Sequence, residues 1–271
     1  AEEGYHVYAG ARKDADLAEL DAIENVTAVR LDVTKQDQVD AAVAQIEKDG
    51  GGLWALVNNA GVGGGGNVLD TPIENQTFVY DVNVEGVYRT TKAFAPLVMA
   101  AKGRIITTGS IAGTLSWAGG SAYAGSKHWV EAYTDALAGE MAPHGVSVSV
   151  IEPGNYKSRI RRGSWERAFQ QMEAAGEEIT EEMKQAFEQS AQRELSYKEP
   201  DEVTAAFMHA LFDEKPLLRY VVVPNEDEQR MTIGVKAREL VQLNTWGPYS
   251  YSREELIELL DEALAANAGE E

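Results

Sequence analysis

Six short, apolar, β-branched runs recur along this 271-residue chain, separated by stretches with helical spacing. The runs are Tyr5–Ala11, Val26–Val33, Leu53–Val57, Gly103–Thr108, Val146–Ile151 and Leu218–Val223. Asp16–Ile23, Asp37–Asp49, Ile73–Ala101 and Ser121–Met141 read as helices between them. The second of these carries Val39, Val43 and Ile46 at helical spacing, and the third is long enough for two helices. Apolar strands alternating with helices predict a parallel sheet covered on both faces, a doubly wound α/β fold. Ligands in such sheets bind beyond the carboxyl ends of the strands, near the topological switch point. Arg12, Asp32, Asn58, Ser110 and the Pro153-Gly154 pair each follow a predicted strand, where loops commonly carry function.

Tyr123 and Lys127 sit four residues apart on a predicted helix, so they share a face. A phenol with an ordinary pKa near ~10 exchanges protons poorly at neutral pH. An ammonium held beside it would favour the phenolate and lower that value, letting Tyr123 trade a proton with a substrate oxygen. The same spacing occurs on ordinary surface helices, so the pair gains meaning from Ser110 and the segments before it. His128 and His144 do not complete a serine triad, because no Gly-x-Ser-x-Gly elbow frames Ser110. Both read as surface or interface residues.

Composition narrows the choice of partner. A formal net charge of −20 argues against nucleic acid, whose phosphates need a basic footprint. Much of the acid lies in Glu166–Glu194 and Glu254–Glu271, which read as solvated helix faces. There is no cysteine, hence no disulfide, thiol nucleophile or Cys-based zinc site, and no metal is expected. With no 18-residue apolar run and no signal peptide, a cytoplasmic protein without a membrane span is expected.

Five segments in order carry a family resemblance: Asn58-Asn59-Ala60-Gly61, Asp81-Val82-Asn83-Val84-Glu85-Gly86, Thr108-Gly109-Ser110, Tyr123-x-x-x-Lys127, and Pro153-Gly154 with Ser158. From Tyr5 to about Val223 the chain resembles the short-chain dehydrogenase/reductase family, most nearly its hydroxysteroid and retinol dehydrogenase-like branch. The resemblance implies a Rossmann-type sheet and hydride exchange between a nicotinamide and a carbinol or carbonyl carbon. It implies Tyr123 as proton donor or acceptor and Ser110 as the group holding the substrate oxygen. Lys127 would lower the Tyr123 pKa and bind the nicotinamide ribose. Asn83 would tie a helix backbone to a water linking Lys127 to solvent. It further implies a homodimer or homotetramer, with Phe94, Leu97, Trp129 and Tyr133 as candidate interface residues; core burial explains them equally well.

Cofactor preference turns on Arg12. An acidic residue there would bind the adenine ribose hydroxyls and favour NAD. A guanidinium instead offers a planar fork to a 2′-phosphate, so NADP(H) is expected. The alternative is a surface charge pair with Asp14 or Asp16. By resemblance, Asp32 contacts the adenine amino group and Val33 packs on the ring. Asn58, Ala60 and Gly61 line the adenosine and ribose side, and Pro153, Gly154 and Ser158 meet the nicotinamide end.

Departures from the family pattern generate further expectations. The family opens with a strand and a glycine-rich turn, whereas this sequence opens at Ala1-Glu2-Glu3-Gly4, which matches the end of the first family helix. The chain is therefore expected to lack the first strand and glycine-rich turn, leaving two strands with unpaired edges. Gly63–Gly66 does not replace that turn, having no strand-turn-helix around it, and reads as a flexible loop. A single domain over 1–271 is expected. A helical insertion at about 155–198, carrying Trp165, Phe169, Met172, Met183 and Phe187, would form a lid, a local core or both. An amphipathic helix at about 250–266 would cap the pocket, pack on a partner or close the core. Trp117, Tyr156 and the insertion would wall a pocket for a medium-sized apolar alcohol or ketone. A halohydrin dehalogenase-like lyase and a non-catalytic scaffold or sensor are the alternatives without nicotinamide chemistry. Lys127 and Arg12 argue against the first, and the intact Asn83, Ser110, Tyr123 and Lys127 set against the second.

Overall fold

The computed structural model describes residue 1 and residues 3–269; Glu2 of the opening segment and Glu270 and Glu271 of the acidic tail lie outside the described residues. In chain order the elements begin with β1 (Val7–Ala11), α1 (Asp14–Asp21), β2 (Val26–Arg30), α2 (Gln36–Asp49) and β3 (Ala55–Asn58). Then come α3 (Ile73–Tyr80), a π-helical turn (Asp81–Gly86), α4 (Val87–Ala101), β4 (Arg104–Thr108), α5 (Ser121–Met141) and β5 (Ser147–Pro153). The chain continues with α6 (Ile160–Ala175), α7 (Glu181–Leu195), α8 (Asp201–Phe212), β6 (Arg219–Val222), α9 (Glu226–Leu243) and α10 (Arg253–Gly269).

All strand pairs are parallel, and they fall into two sets. β1 pairs with β2, and β3-β4-β5-β6 form a second sheet in that order. Between the facing edges of β1 and β3 runs a groove of about 1070 Å³, lined among others by Gly10, Leu31, Leu56, Val57, Val82 and Phe94. Unpaired, these edges leave apolar strand residues in solvent: Val7 is 37% and Val57 40% exposed. Tyr5, Phe212 and Trp54 stack across the groove, with centroids 4.4 and 5.8 Å apart.

Three apolar clusters hold the layers. Val29, Val39, Ala42, Ile46 and Phe94 join the β1–β2 half to α2 and α4, with Leu97 packed against them. Val98, Ile105, Leu137, Val146 and Val148 join α4, α5, β4 and β5. Ile106, Ile151, Tyr156, Val203, Ala206, Ala210 and Tyr220 seat α8 on the larger sheet.

Several expectations need correction. Phe94 (4% exposed) is a core residue, while the interface candidates Leu97, Trp129 and Tyr133 remain partly exposed; Leu97 packs against the Phe94 cluster, and Trp129 and Tyr133 stack at 4.5 Å, with Tyr88 6.1 Å from Tyr133. Tyr156 is buried in the third cluster. Gly63–Gly66 is close-packed, not a loose loop. A Cβ on Gly64, Gly65 or Gly66 would overlap Val79, the Gly119 carbonyl or Thr71, and Gly66 has φ +142°, a region open mainly to glycine. α10 does not close the core: Leu259, Leu260 and Leu264 are 45–60% exposed. α8 and α9 were not anticipated, although Asn225 caps α9 by accepting from the Glu228 N–H at 2.9 Å. The insertion forms the α6–α7 pair, in which Trp165, Phe169 and Phe187 lie 5.7–6.4 Å apart. No described helix is long and apolar enough to cross a membrane.

Phe94 is the one fully buried aromatic in the cluster joining the β1–β2 half to the rest. Phe94→Ala is expected to cost about 3–5 kcal/mol. Hydrogen exchange should show protection lost first in β1, β2 and α2 rather than β4 and β5. Uniform loss across both sheets would contradict this division.

Candidate active site

β4 delivers the chain to the site. Past Thr108, the Gly109 N–H donates to the Ile151 carbonyl at 2.7 Å, and a Cβ there would run into Val150. Ser110 follows, its Oγ accepting from the Ala112 N–H at 3.1 Å and capping the turn Ile111–Gly113. α5 then buries Ala122, Ala124, Ser126 and Lys127. These residues are small apart from Lys127, which brings the helix close to the strand ends.

This packing joins three of the residues singled out by sequence. The Ser110 hydroxyl lies close enough to the Tyr123 phenol to favour its ionised form. The Lys127 ammonium lies 5.9 Å from the Tyr123 ring centroid and donates to the Thr108 carbonyl at 2.7 Å. Asn83, 1% exposed in the π-helical turn, clamps the strand-end loop: Oδ1 accepts from the Val62 N–H at 2.8 Å, while Nδ2 donates to the Val62 carbonyl and to Ser126 Oγ, each at 3.0 Å. A Cβ on Gly61 would sit 3.6 Å from Asn83 Oδ1 and 3.9 Å from Lys127 Nζ, so Gly61 borders both.

The electrostatics differ from the simple expectation. Burial raises the Tyr123 phenol, while the nearby Ser110 hydroxyl and the Arg161 guanidinium act against that rise. Burial lowers Lys127 to about 8, opposed by the Glu131 carboxylate one turn along α5. Ser110 and Arg161 act in the direction expected of a cation beside the phenol, but burial leaves Tyr123 raised overall. Arg161 had no signal in the sequence. Its guanidinium donates to Asn155 Oδ1 at 2.6 Å and lies 5.8 Å from the Tyr197 ring centroid.

The remaining candidates distribute along the strand ends. Arg12 is exposed and makes no salt bridge among the described residues; Asp14 is instead paired with Arg30. Arg12 lies within electrostatic reach of Asp32 and of Arg167. Burial works against the Asp32 carboxylate, but Thr34 donates to it from backbone and hydroxyl at 3.0 and 2.8 Å. With Arg12 and Lys35 nearby, these bonds hold Asp32 below its ordinary value. Val33 packs on Gly86, where a Cβ would collide with it, and lines the groove with Ala60. The Asn58 side chain turns away from the strand end, donating to Thr91 Oγ1 at 2.9 Å and accepting from Thr90 Oγ1 at 2.7 Å. It braces α4, and Asn58 is also among the residues lining the groove. Past Pro153, the Gly154 N–H donates to the Val222 carbonyl at 2.7 Å, and Glu228 Oε2 accepts from the Asn155 N–H at 2.9 Å. Ser158 Oγ accepts from the Ile160 N–H at 3.4 Å at the start of α6. Arg167, also without a sequence signal, donates to the Gly63 carbonyl and lies over the Phe78 ring at 4.3 Å.

Comparison with known proteins agrees with this architecture. Residues 1–169 match the family model described as short chain dehydrogenase. D-beta-hydroxybutyrate dehydrogenase, mitochondrial, from Bos taurus is 36% identical over 239 residues, covering 80% of this chain and 70% of its own. Retinol dehydrogenase 16 from Homo sapiens is 38% identical over 221 residues, 74% of this chain and 65% of the relative. Among solved structures, a short-chain dehydrogenase/reductase from Burkholderia phymatum in complex with NAD aligns with a TM-score of 0.71 at 26% identity, over 91% of this chain and 89% of that one. The chain belongs to the short-chain dehydrogenase/reductase family, in its hydroxysteroid and retinol dehydrogenase-like branch. It is an oxidoreductase of the NAD(P)-dependent kind.

Asn83 is buried with both amide groups engaged. Asn83→Leu would orphan the Val62 backbone groups and is expected to cost about 1–3 kcal/mol for each one left buried. Thermal unfolding checks this; an unchanged Tm would show that water replaces the clamp.

Proposed function

We propose that the chain interconverts a secondary alcohol and a ketone, with Tyr123 passing the proton to or from the substrate oxygen and NADP(H) as the preferred cofactor. The observation that carries this reading is the meeting of the Ser110 hydroxyl, the Tyr123 phenol and the Lys127 ammonium where β4 and α5 converge.

The residues present fit a dinucleotide. Gly10 and Gly86 let Leu31 and Val33 pack close against the backbone, where a Cβ would press on or overlap them. The groove walls are apolar around Leu31, Val33 and Val82, which suits a flat ring. When bound, a nicotinamide supplies the hydride. Ser110 would donate a hydrogen bond to the substrate oxygen and hold it against Tyr123. Kept neutral by burial, Tyr123 would donate its proton to the developing alkoxide and take it back in the reverse direction. Lys127 would hold positive charge beside the phenol and steady the Thr108 carbonyl, while Asn83 keeps the Val62 loop in register. The α6–α7 pair would act as a lid, since Arg167 and Ile160 reach the Gly63 backbone.

Two features support the finer assignments. Arg12 makes no salt bridge among the described residues and its charge acts on Arg167; two neighbouring cations suit a 2′-phosphate, although Asp32 stands nearby. Arg161 also lacks a salt bridge among the described residues and acts on Tyr123. Its charge favours a substrate bearing a carboxylate near the carbinol over a wholly apolar one, in line with the hydroxybutyrate named for the bovine relative. The exposed aromatic faces of Tyr88, Trp129 and Tyr133 on α4 and α5 are the surface proposed for homo-oligomer contact.

Tyr123→Phe is expected to lower kcat by about 10²–10⁴-fold, the usual range for a lost proton-transfer group, with circular dichroism unchanged; wild-type turnover would sink the mechanism. Arg12→Asp is expected to move selectivity from NADPH toward NADH, measured as the ratio of kcat/KM values. An unchanged ratio would reduce Arg12 to a surface charge. Arg161→Ala should raise KM for hydroxy acids at least about tenfold, the range for a lost charged hydrogen bond, and spare neutral alcohols. Equal effects on both classes would remove the carboxylate assignment.

A further inference from the structure

One turn along α5 from Lys127 lies Glu131, its side chain only 16% exposed. Its carboxylate is wedged against the two glycines that frame Ser110: a Cβ at Gly109 would come 3.3 Å from Oε1, and one at Gly113 2.9 Å from it. Oε2 accepts from Arg219 Nε at 3.0 Å, and Arg219 Nη2 also donates to Asp135 Oδ1 at 2.6 Å. Oε1 is buried and receives no hydrogen bond. Glu152 at the end of β5, 2% exposed, is a second buried carboxyl on the strand that α5 packs against, and the two act on each other.

Two ionised carboxylates have no hydrogen to share and repel at short range. A single proton converts the clash into an O–H···O bond and satisfies the orphaned Oε1. We propose that Glu131 and Glu152 share one proton, and that this carboxyl pair is a positioning element holding the Ser110 turn and the Lys127 helix in register. Glu152, the deeper of the two, carries the hydrogen and donates it to Glu131, which stays charged toward Arg219. Burial raises both carboxyls, taking Glu152 to about 8. The other charged groups facing the pair are Lys127 and Asp135 on α5, Arg219 on β6 and Lys236 on α9. Loss of the shared proton would set two charges against each other beneath the Ser110 turn. The consequence for Ser110 and Lys127 rests on the proposed function; the proton itself does not.

The sign of the pH dependence follows from linkage. An unfolded Glu152 titrates at 4.5, whereas the folded one holds its proton to about 8. Between those values the native state binds more protons than the unfolded state, so this group makes stability fall as pH rises.

The test uses the full chain and its Glu152→Gln and Glu152→Leu variants. Infrared difference spectra should show a protonated-carboxyl carbonyl band at pH 7 that is absent from Glu152→Gln. Glu152→Gln keeps a donor and should not share the fall in Tm between about pH 5 and about pH 8. Glu152→Leu offers no donor and should melt several degrees below Glu152→Gln at pH 7. Hydrogen exchange across Gly109–Thr114 should be equal in wild type and Glu152→Gln at pH 6 and several-fold faster in wild type at pH 9. The proposal is overturned if no band depends on Glu152, if Leu serves as well as Gln, or if the exchange difference is independent of pH. None of these readouts needs turnover, so they can fail while the oxidoreductase reading stands.

Discussion

The site depends on one buried cation. Lys127 is 5% exposed, and its ammonium donates to the Thr108 carbonyl, tying α5 to the end of β4. A buried ammonium is tolerated only when hydrogen-bonded and offset by charge. Thr108 supplies the bond and Glu131 the opposing charge. That requirement fixes the approach of α5, which in turn fixes Tyr123 beside Ser110. Ala122, Ala124 and Ser126 on the same buried face allow the approach, and Gly109 and Gly113 leave room for it.

A second constraint acts on the other side of the molecule. The two parallel sheets face each other across an apolar groove, and the aromatic stack of Tyr5, Phe212 and Trp54 and the cluster around Phe94 span it. Among the described residues, the facing edges of β1 and β3 have no partner strand, and Val7 and Val57 carry the exposure that follows. Of the strand-end residues, Val33, Asn58 and Ala60 line the same groove.

Much of the fold was legible because burial on both faces imposes a recognisable rhythm. All six strands appear where apolar runs stood, and α5 spans the same residues as its pattern, Ser121–Met141. α8 and α9 escaped notice although their signals were present. Val203, Ala206, Phe207 and Ala210 carry helical spacing after Pro200, and Asn225 followed by three acidic residues is a helix start. Asn58 was read by its position after a strand, but its amide groups are consumed by Thr90 and Thr91. The glycine run looked loose because sequence shows missing side chains and not the neighbours that require them to be missing.

By itself the sequence determined the alternation of strands and helices, the four-residue spacing that sets Tyr123 and Lys127 on one face, and the order of segments that marks the family. These are local properties, carried by period and by neighbours along the chain. Only the tertiary structure decided which charges meet. Arg161 reaches Tyr123 from the start of α6, Arg167 shares a field with Arg12, and Glu131 and Glu152 are pressed together by the packing of α5 on β5. The physical reason is that burial sets the weight of each charge, and burial is a property of the packed layers, which bring together residues that no spacing along the chain connects.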